Sequence, residues 1–356
     1  MLLHTLLQKT LKRTIIVKDK ILVTGGSGYI GSHTTLTLLQ AGYDIVVLDN
    51  LSNSSAESLE RLHCICGITP EFVEGDVRDR NLLDKIFTDH NISAVLHFAG
   101  LKAVGESTQQ PLDYYSNNVL GTVTLCQAMA KANVLNLVFS SSATVYGDAT
   151  QMPLREDTPT STPTNPYGRS KLMVEEILQD LAKSDSRWSI ALLRYFNPVG
   201  AHQSGLIGED PNGPPNNLMP YISQVAIGQL KQLSVFGSDY PTQDGTGVRD
   251  YIHVQDLAEG HLSALKAISL KPGINIWNLG TGIGYSVLEM IRAFELASGR
   301  TVSYCVVDRR AGDIAECWAS ASKAANDLGW TAKRGLAEMV SDAWRWQENN
   351  PNGYRR

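Results

Sequence analysis

Charge is scarce in this 356-residue chain: only 19% of its residues are Asp, Glu, Lys or Arg, and 31 basic against 36 acidic side chains leave a formal net charge of −5. Without a basic excess to neutralise phosphates, a nucleic-acid surface is excluded. Cysteine is scarce too. The five present are odd in number and none sits in CxxC spacing, so Cys64, Cys66, Cys126, Cys305 and Cys317 read as reduced thiols of a cytoplasmic protein with no metal site. Long apolar runs are missing as well, although 43% of residues are hydrophobic, so no membrane span is expected. A chain of this length buries ample apolar surface without disulfides, and its core normally divides into two domains or forms one large α/β unit.

The first 20 residues differ from the rest, with five basic side chains against one acid and a few leucines at loosely helical spacing. Apolar runs of two or three residues are too short for a secretory signal, and no small-residue cleavage site follows. Residues 1–19 therefore read as an extension, frayed or docked, or a start-site artefact, with a membrane-surface helix as the other reading.

From Lys20 onward short β-rich runs at 21–23, 45–48, 94–98, 137–140 and 190–195 alternate with helix-length stretches. That rhythm predicts a doubly wound parallel sheet covered on both faces, a Rossmann-type α/β fold. At 208–217 the texture turns to Gly, Pro and Asn. We place a boundary near Pro198, giving a nucleotide-binding domain over 20–198 and a smaller α/β lobe over 199–350. The apolar runs at 235–236, 276–279 and 302–307 are assigned to that lobe, with some segments free to return to the first domain.

Within the first domain, Gly25, Gly28 and Gly31 follow G-x-x-G-x-x-G spacing between a strand and a helix. The first glycine permits the turn, the second a close approach of a pyrophosphate, and the third tight packing of helix on sheet, while the helix N-terminus offers N–H groups to the anion. Glycine triplets alone are common. Here Asp49 ends the second strand eighteen residues after Gly31, where its carboxylate would accept from ribose hydroxyls and repel a 2′-phosphate, so the expected cofactor is NAD rather than NADP.

Tyr167 and Lys171 stand four residues apart at the start of a helix, on one face, so phenol and ammonium can share a site. A nearby cation favours the phenolate over a phenol of pKa about 10. By itself this spacing arises by chance. Its partner is the run 140–147 after a predicted strand, where Ser142 can hydrogen-bond both a reacting hydroxyl and the Tyr167 oxygen.

With these residues in place the sequence resembles the extended short-chain dehydrogenases/reductases, and more narrowly the UDP-glucose (UDP-galactose) 4-epimerase family. The resemblance runs from about Lys20 to 344–347 and is carried by TGGSGYIGSH, FVEGD, HFAGLKAVGES, FSSSATVYGD, NPYGRSK, RYFNPVGAH, PNNLMPYI, DGTGVRDYIHV and NLGTG. It implies that Tyr29 and Ile30 contact the NAD pyrophosphate, that Asp49, Asn50 and Asn53 lie near the adenosine ribose, and that Asp76 and Val77 hold the adenine. Phe98, Ala99, Gly100, Leu101 and Lys102 would line the cofactor, with Asn117 and Phe196 nearby and Lys171 on the nicotinamide ribose. For the nucleotide-sugar it implies Ser142, Tyr167, Asn197, Asn217, Leu218, Ser234, Val235, Phe236, Arg249, Arg310, Asp313 and Cys317. The two arginines also suit a diphosphate on physical grounds, as permanently charged planar forks.

The implied activity is 4-epimerisation of UDP-glucose and UDP-galactose through a 4-keto sugar, by a homodimer pairing helices that include 118–131 and the one starting at Tyr167. A tyrosine at the Cys317 position accompanies restriction to unacetylated hexoses in that family, so the smaller thiol implies room for N-acetylhexosamines. Packing of a buried cysteine is the other reading. Dehydration of the sugar, the chemistry of related 4,6-dehydratases, would need an acid–base pair after Ser142, where Ala143 and Thr144 stand.

Overall fold

The computed structural model describes residues 19–149, 151–213, 215–310 and 312–355; the expectations for the extension lie outside these, apart from Asp19. Strands β1 (Lys20–Thr24), β2 (Asp44–Asp49), β3 (Glu71–Glu74), β4 (Ile92–His97), β5 (Asn136–Ser142) and β6 (Ser189–Tyr195) alternate with helices α1 (Tyr29–Gln40), α2 (Glu57–Cys66), α3 (Arg80–Asp89), α4 (Val104–Gln109), α5 (Pro111–Tyr114), α6 (Gly121–Lys131) and α7 (Pro166–Ser184). A π-helical turn, Tyr115–Leu120, leads into α6, so the helix expected from Asn118 opens as a widened turn.

β7 (Asn197–Val199), α8 (Leu218–Ala226), β8 (Leu233–Phe236), β9 (Val248–His253), α9 (Val254–Ile268) and β10 (Gly273–Leu279) follow. The chain then runs through β11 (Gly284–Ser286), α10 (Val287–Ser298), β12 (Tyr304–Val307), β13 (Glu316–Cys317), α11 (Ser322–Leu328) and α12 (Leu336–Asn349).

Seven strands form one parallel sheet in the order β10-β6-β5-β4-β1-β2-β3. The alternation of side chains along each strand divides the core. Ile21, Val23, Ile45, Val47, Ala94, Leu96, Ala191 and Leu193 pack with helix residues such as Leu36, Leu39, Leu62, Leu257 and Leu265 on one face. Their neighbours Leu22, Val46, Leu48, Val95, Leu137, Ile190 and Leu192 meet Leu83, Leu125, Met129, Val174 and Leu178 on the other. A strand apolar at every position is what a sheet covered on both sides requires.

The order reverses between β1 and β4, so the carboxyl ends of those strands diverge and leave a crevice. One expectation is corrected here: the run 276–279 belongs to β10, paired in parallel with β6 at the edge of the large sheet, rather than to the smaller lobe. Helix α9 supplies the crossover, burying Leu257, Ala264, Leu265 and Ile268 against the same face as α1. The smaller lobe is built from β9 flanked by β11, β13 and β7, a separate β8–β12 pair, and a core of Met219, Ile222, Tyr251, Met290, Phe294, Met339 and Trp344.

Candidate active site

A cavity of about 620 Å³ opens where the sheet order reverses. Gly25, Gly28, Tyr29, Ile30 and Gly31 form one end of its wall. Gly25 has φ +71°, and a Cβ on it would meet the Ala99 backbone nitrogen at 2.6 Å; a Cβ on Gly31 would lie 2.1 Å from the Gly25 carbonyl oxygen. Helix α1 starts at Tyr29 with no side chain capping it, so its first N–H groups are left to the cavity. The Tyr29 side chain itself turns away, donating to the Gly200 carbonyl at 2.7 Å. Any anion contact at Tyr29 and Ile30 is therefore made by backbone.

Asp49 is 8% exposed and lines the same cavity. Its carboxylate accepts from the Ser27 N–H at 3.0 Å, the Leu51 N–H at 3.0 Å and the Ser54 hydroxyl at 2.9 Å, which aims it without exhausting its lone pairs. Asn50, Asn53, Val77, Phe98, Ala99, Gly100, Leu101, Lys102 and Asn117 complete that half of the lining. Asp76 stands just outside it, bound by Asn50 at 3.2 Å and by Arg78, which holds its carboxyl down at about 2. Glycine cradle, open helix end and acidic residue together fit a dinucleotide lacking a 2′-phosphate.

Tyr167 and Lys171 sit at the other end of the cavity, in the first turns of α7, which begins with Pro166 behind an Asn165 cap whose side chain accepts from the Gly168 N–H at 2.9 Å. Lys171 is 6% exposed; its ammonium donates to the Ser140 carbonyl at 2.7 Å and lies 4.9 Å from the Phe139 ring centroid. Burial brings its pKa down to about 8, with the Glu175 charge opposing. Burial pushes the Tyr167 phenol up, while the Ser142 hydroxyl and the Lys102 charge act to lower it. One of the three Lys171 ammonium protons goes to the Ser140 carbonyl, and Lys102, whose charge lowers the phenol, is itself paired with Glu209 at 2.9 Å. A cationic nicotinamide beside the ring would act in the lowering direction.

Ser142 ends β5 and accepts from the Thr144 hydroxyl at 3.0 Å and its N–H at 3.2 Å. Behind the site Glu175 and Arg194 form a buried pair at 2.6 Å, and the guanidinium covers the Tyr146 ring at 4.9 Å. Of the remaining expected positions, Asn217 lines the cavity, and its amide donates to Glu209 at 2.6 Å. Ser142, Phe196, Asn197, Leu218, Ser234, Val235, Phe236, Arg249, Arg310, Asp313 and Cys317 lie outside this lining. Arg249 donates to the Val248 carbonyl at 2.8 Å; Arg310 pairs with Asp313 at 2.9 Å and covers the Phe236 ring at 5.5 Å.

Sequence reasoning missed several wall residues: Glu209, Asp210, Asn212, Tyr195 and Tyr354. It also missed Asn118, whose amide clamps Leu101 and Ser170 from the π turn. A signal existed only for 208–217, noticed as loop composition rather than as a wall.

The NAD dependent epimerase/dehydratase family matches residues 21–280. A UDP-glucose 4-epimerase of Haemophilus influenzae is 63% identical over 94% of this chain and 99% of its own length, and one of Bacillus subtilis is 63% identical over 94% and 98%. The crystal structure of the Bifidobacterium longum UDP-glucose 4-epimerase, in complex with NAD+ and UDP, superposes with a TM-score of 0.92 at 53% identity, covering 94% of this chain and 100% of that one. The UDP-Glc/GlcNAc 4-epimerase of Campylobacter jejuni superposes with 0.81 at 37% identity, covering 93% and 99%. This chain belongs to the NAD dependent epimerase/dehydratase family and, within it, to the UDP-glucose 4-epimerases, isomerases that use NAD.

Proposed function

We propose that the protein interconverts UDP-glucose and UDP-galactose through a 4-keto sugar and also turns over UDP-N-acetylglucosamine and UDP-N-acetylgalactosamine. The observation that carries the first part is the presence of the Tyr167 phenol and the Gly25–Gly31 turn in one cavity. NAD, when bound, supplies a hydride acceptor and donor for C4 of the sugar. Tyr167, whose phenol the Ser142 hydroxyl acts to lower, takes the proton of the 4-hydroxyl and returns it after C4 has been reduced from the opposite face. Inversion then requires a nucleotide held firmly, by Asn217, Arg249 and Arg310, and a hexose held loosely enough to turn over. Arg310 is half-exposed, pairs with the neighbouring Asp313 and covers the Phe236 ring, so a diphosphate can compete for it at little cost. In this reading the smaller lobe, within 199–350, holds the UDP-sugar and the large sheet holds NAD.

Cys317 carries the second part. It is buried among Val145, Tyr146, Leu154, Phe196 and Ala319, and burial pushes its thiol up to about 11, so it acts as a small neutral side chain. The narrower reading is a packed thiol with no influence on substrate. Incubating the protein with the four UDP-sugars and separating the products tests both. Turnover of the acetylated pair that disappears in Cys317→Tyr supports the wider range; no turnover of that pair in the wild type removes it. Absence of any galactose–glucose conversion would sink the proposal as a whole.

The exposed side chains of Leu112, Leu120 and Met173 (78%, 52% and 38%) flank α6 and α7 and suit pairing with a second copy. A homodimer in the cytoplasm is therefore part of the proposal, tested by light scattering of the purified protein.

A further inference from the structure

Residues 350–355 follow the last helix, and Tyr354 among them is 9% exposed. Its ring lies 4.8 Å from that of Trp346, and the Arg61 guanidinium covers it at 4.9 Å. Arg61 in turn donates to Asn350 at 2.6 Å and to the Leu206 carbonyl at 3.0 Å. The Tyr354 N–H donates to the Asp210 carboxylate at 2.8 Å, and its hydroxyl meets the Gly208 backbone at 3.3 Å. Gly353, with φ +67°, admits this embrace, because a Cβ there would lie 2.0 Å from an Asp210 carboxylate oxygen.

What this turn grips from behind is a bridge across the mouth of the crevice. Glu209 accepts from Lys102 at 2.9 Å on the cofactor wall and from Asn217 at 2.6 Å on the opposite wall. Three residues on, Asn212 bonds Asn53 at 3.2 Å and the Ser52 carbonyl at 3.3 Å, in the loop that follows β2. Gly208 packs on the Trp346 ring and the Trp346 indole N–H donates to the Glu209 carbonyl at 3.2 Å, while Glu209 to Asn212 are held by polar ties, and a segment of that kind opens locally unless fastened. A dinucleotide lying from the glycine turn to Asp49 would pass beneath it.

We propose that Tyr354 is a positioning residue for the cofactor: by holding the 208–212 bridge closed across the crevice it slows release of bound NAD. The inference rests on the NAD reading but not on the epimerase reaction, because retention is measured without UDP-sugar. The test compares Tyr354→Ala with Tyr354→Phe, which keeps the ring and loses only the long contacts to Gly208. NAD bound per protomer is read after denaturation, and its loss during dialysis is followed over time.

Loss about tenfold faster in Tyr354→Ala, with Tyr354→Phe within about twofold of wild type, supports the clasp. Wild-type retention in Tyr354→Ala overturns it, whether or not the melting temperature falls. So does loss in Tyr354→Phe as fast as in Tyr354→Ala. Should Tyr354→Ala fail to fold, Tyr354→Leu, which refills most of the apolar volume, decides by the same dialysis. A wild-type protein that binds no NAD overturns this inference together with the cofactor reading, whereas one that holds NAD without epimerising UDP-sugars leaves it standing.

Discussion

The Lys171 ammonium donates to the Ser140 carbonyl 2.7 Å away and not to the phenol of Tyr167, one turn earlier on the same helix. Helix α7 is thereby fastened to the end of β5, which carries Ser142. In the proposed reaction the proton that leaves the sugar is taken by Tyr167. Tyr167→Phe should fold and bind NAD as the wild type does while losing about 10²- to 10⁴-fold in epimerisation, measured by coupled assay. Lys171→Met should lower NAD content as well, because it removes the fastening along with the charge.

Gly31→Ala tests the turn. The new Cβ would lie 2.1 Å from the Gly25 carbonyl oxygen and 2.8 Å from the Gly26 Cα, and backbone atoms cannot swing aside as a side chain does. Overpacking of this kind costs about 1–3 kcal/mol. The expected result is a lower melting temperature together with loss of the NAD that copurifies with wild type.

Arg194 and Glu175 are 4% and 0% exposed, and Glu175 also accepts from Ser141. Removing one partner leaves a buried charge alone, so Arg194→Met should destabilise by about 3–5 kcal/mol in denaturant unfolding. Arg194→Met combined with Glu175→Gln should recover much of that loss, because neither charge then remains. A double variant as unstable as the sum of the two single ones would contradict this.

His97 governs acid stability. The Thr122 hydroxyl donates to the Asn118 carbonyl at 2.7 Å, so it must accept from His97 Nε2 at 2.9 Å, and His97 Nδ1 accepts from Thr24 at 2.6 Å. Both ring nitrogens are satisfied only in the neutral form, and burial, aided by the Lys171 charge, holds the pKa at about 3. Because the unfolded chain takes up this proton near its ordinary value of about 6.5, it binds more protons than the folded chain below that pH. Stability therefore falls as pH drops from there toward 3, with His33, also held at about 3, adding to the slope. His97→Gln should show a shallower decline between pH 6 and 4 in thermal melts.

Much of this was legible in the sequence, for physical reasons. Gly25, Gly28, Gly31 and Asp49 announce themselves because a dinucleotide turn needs backbone without Cβ and an acid at the next strand end. Tyr167 and Lys171 are visible because helical periodicity puts them on one face. The return of 273–279 to the large sheet was not legible. A buried edge strand and a strand of the smaller lobe have the same apolar pattern, and only the packing of α9 against α1 separates them. Glu209 and Tyr354 were hidden because their roles come from contacts over 107 and 144 positions of chain, to Lys102 and to Asp210.

The path of the chain also limits how the reaction can proceed. It leaves the large sheet after β6, comes back at α9, leaves again after β10, and returns as α11 against that strand's helix layer. With the last exit, from α11 to α12, five tethers run between the two bodies and resist a clamshell opening in the way a door hung on several pins resists sagging. On the proposed reading, the room a hexose needs to roll over is then an allotment carved by side chains, and substrate breadth would be altered by trimming or thickening those side chains rather than by loosening a hinge.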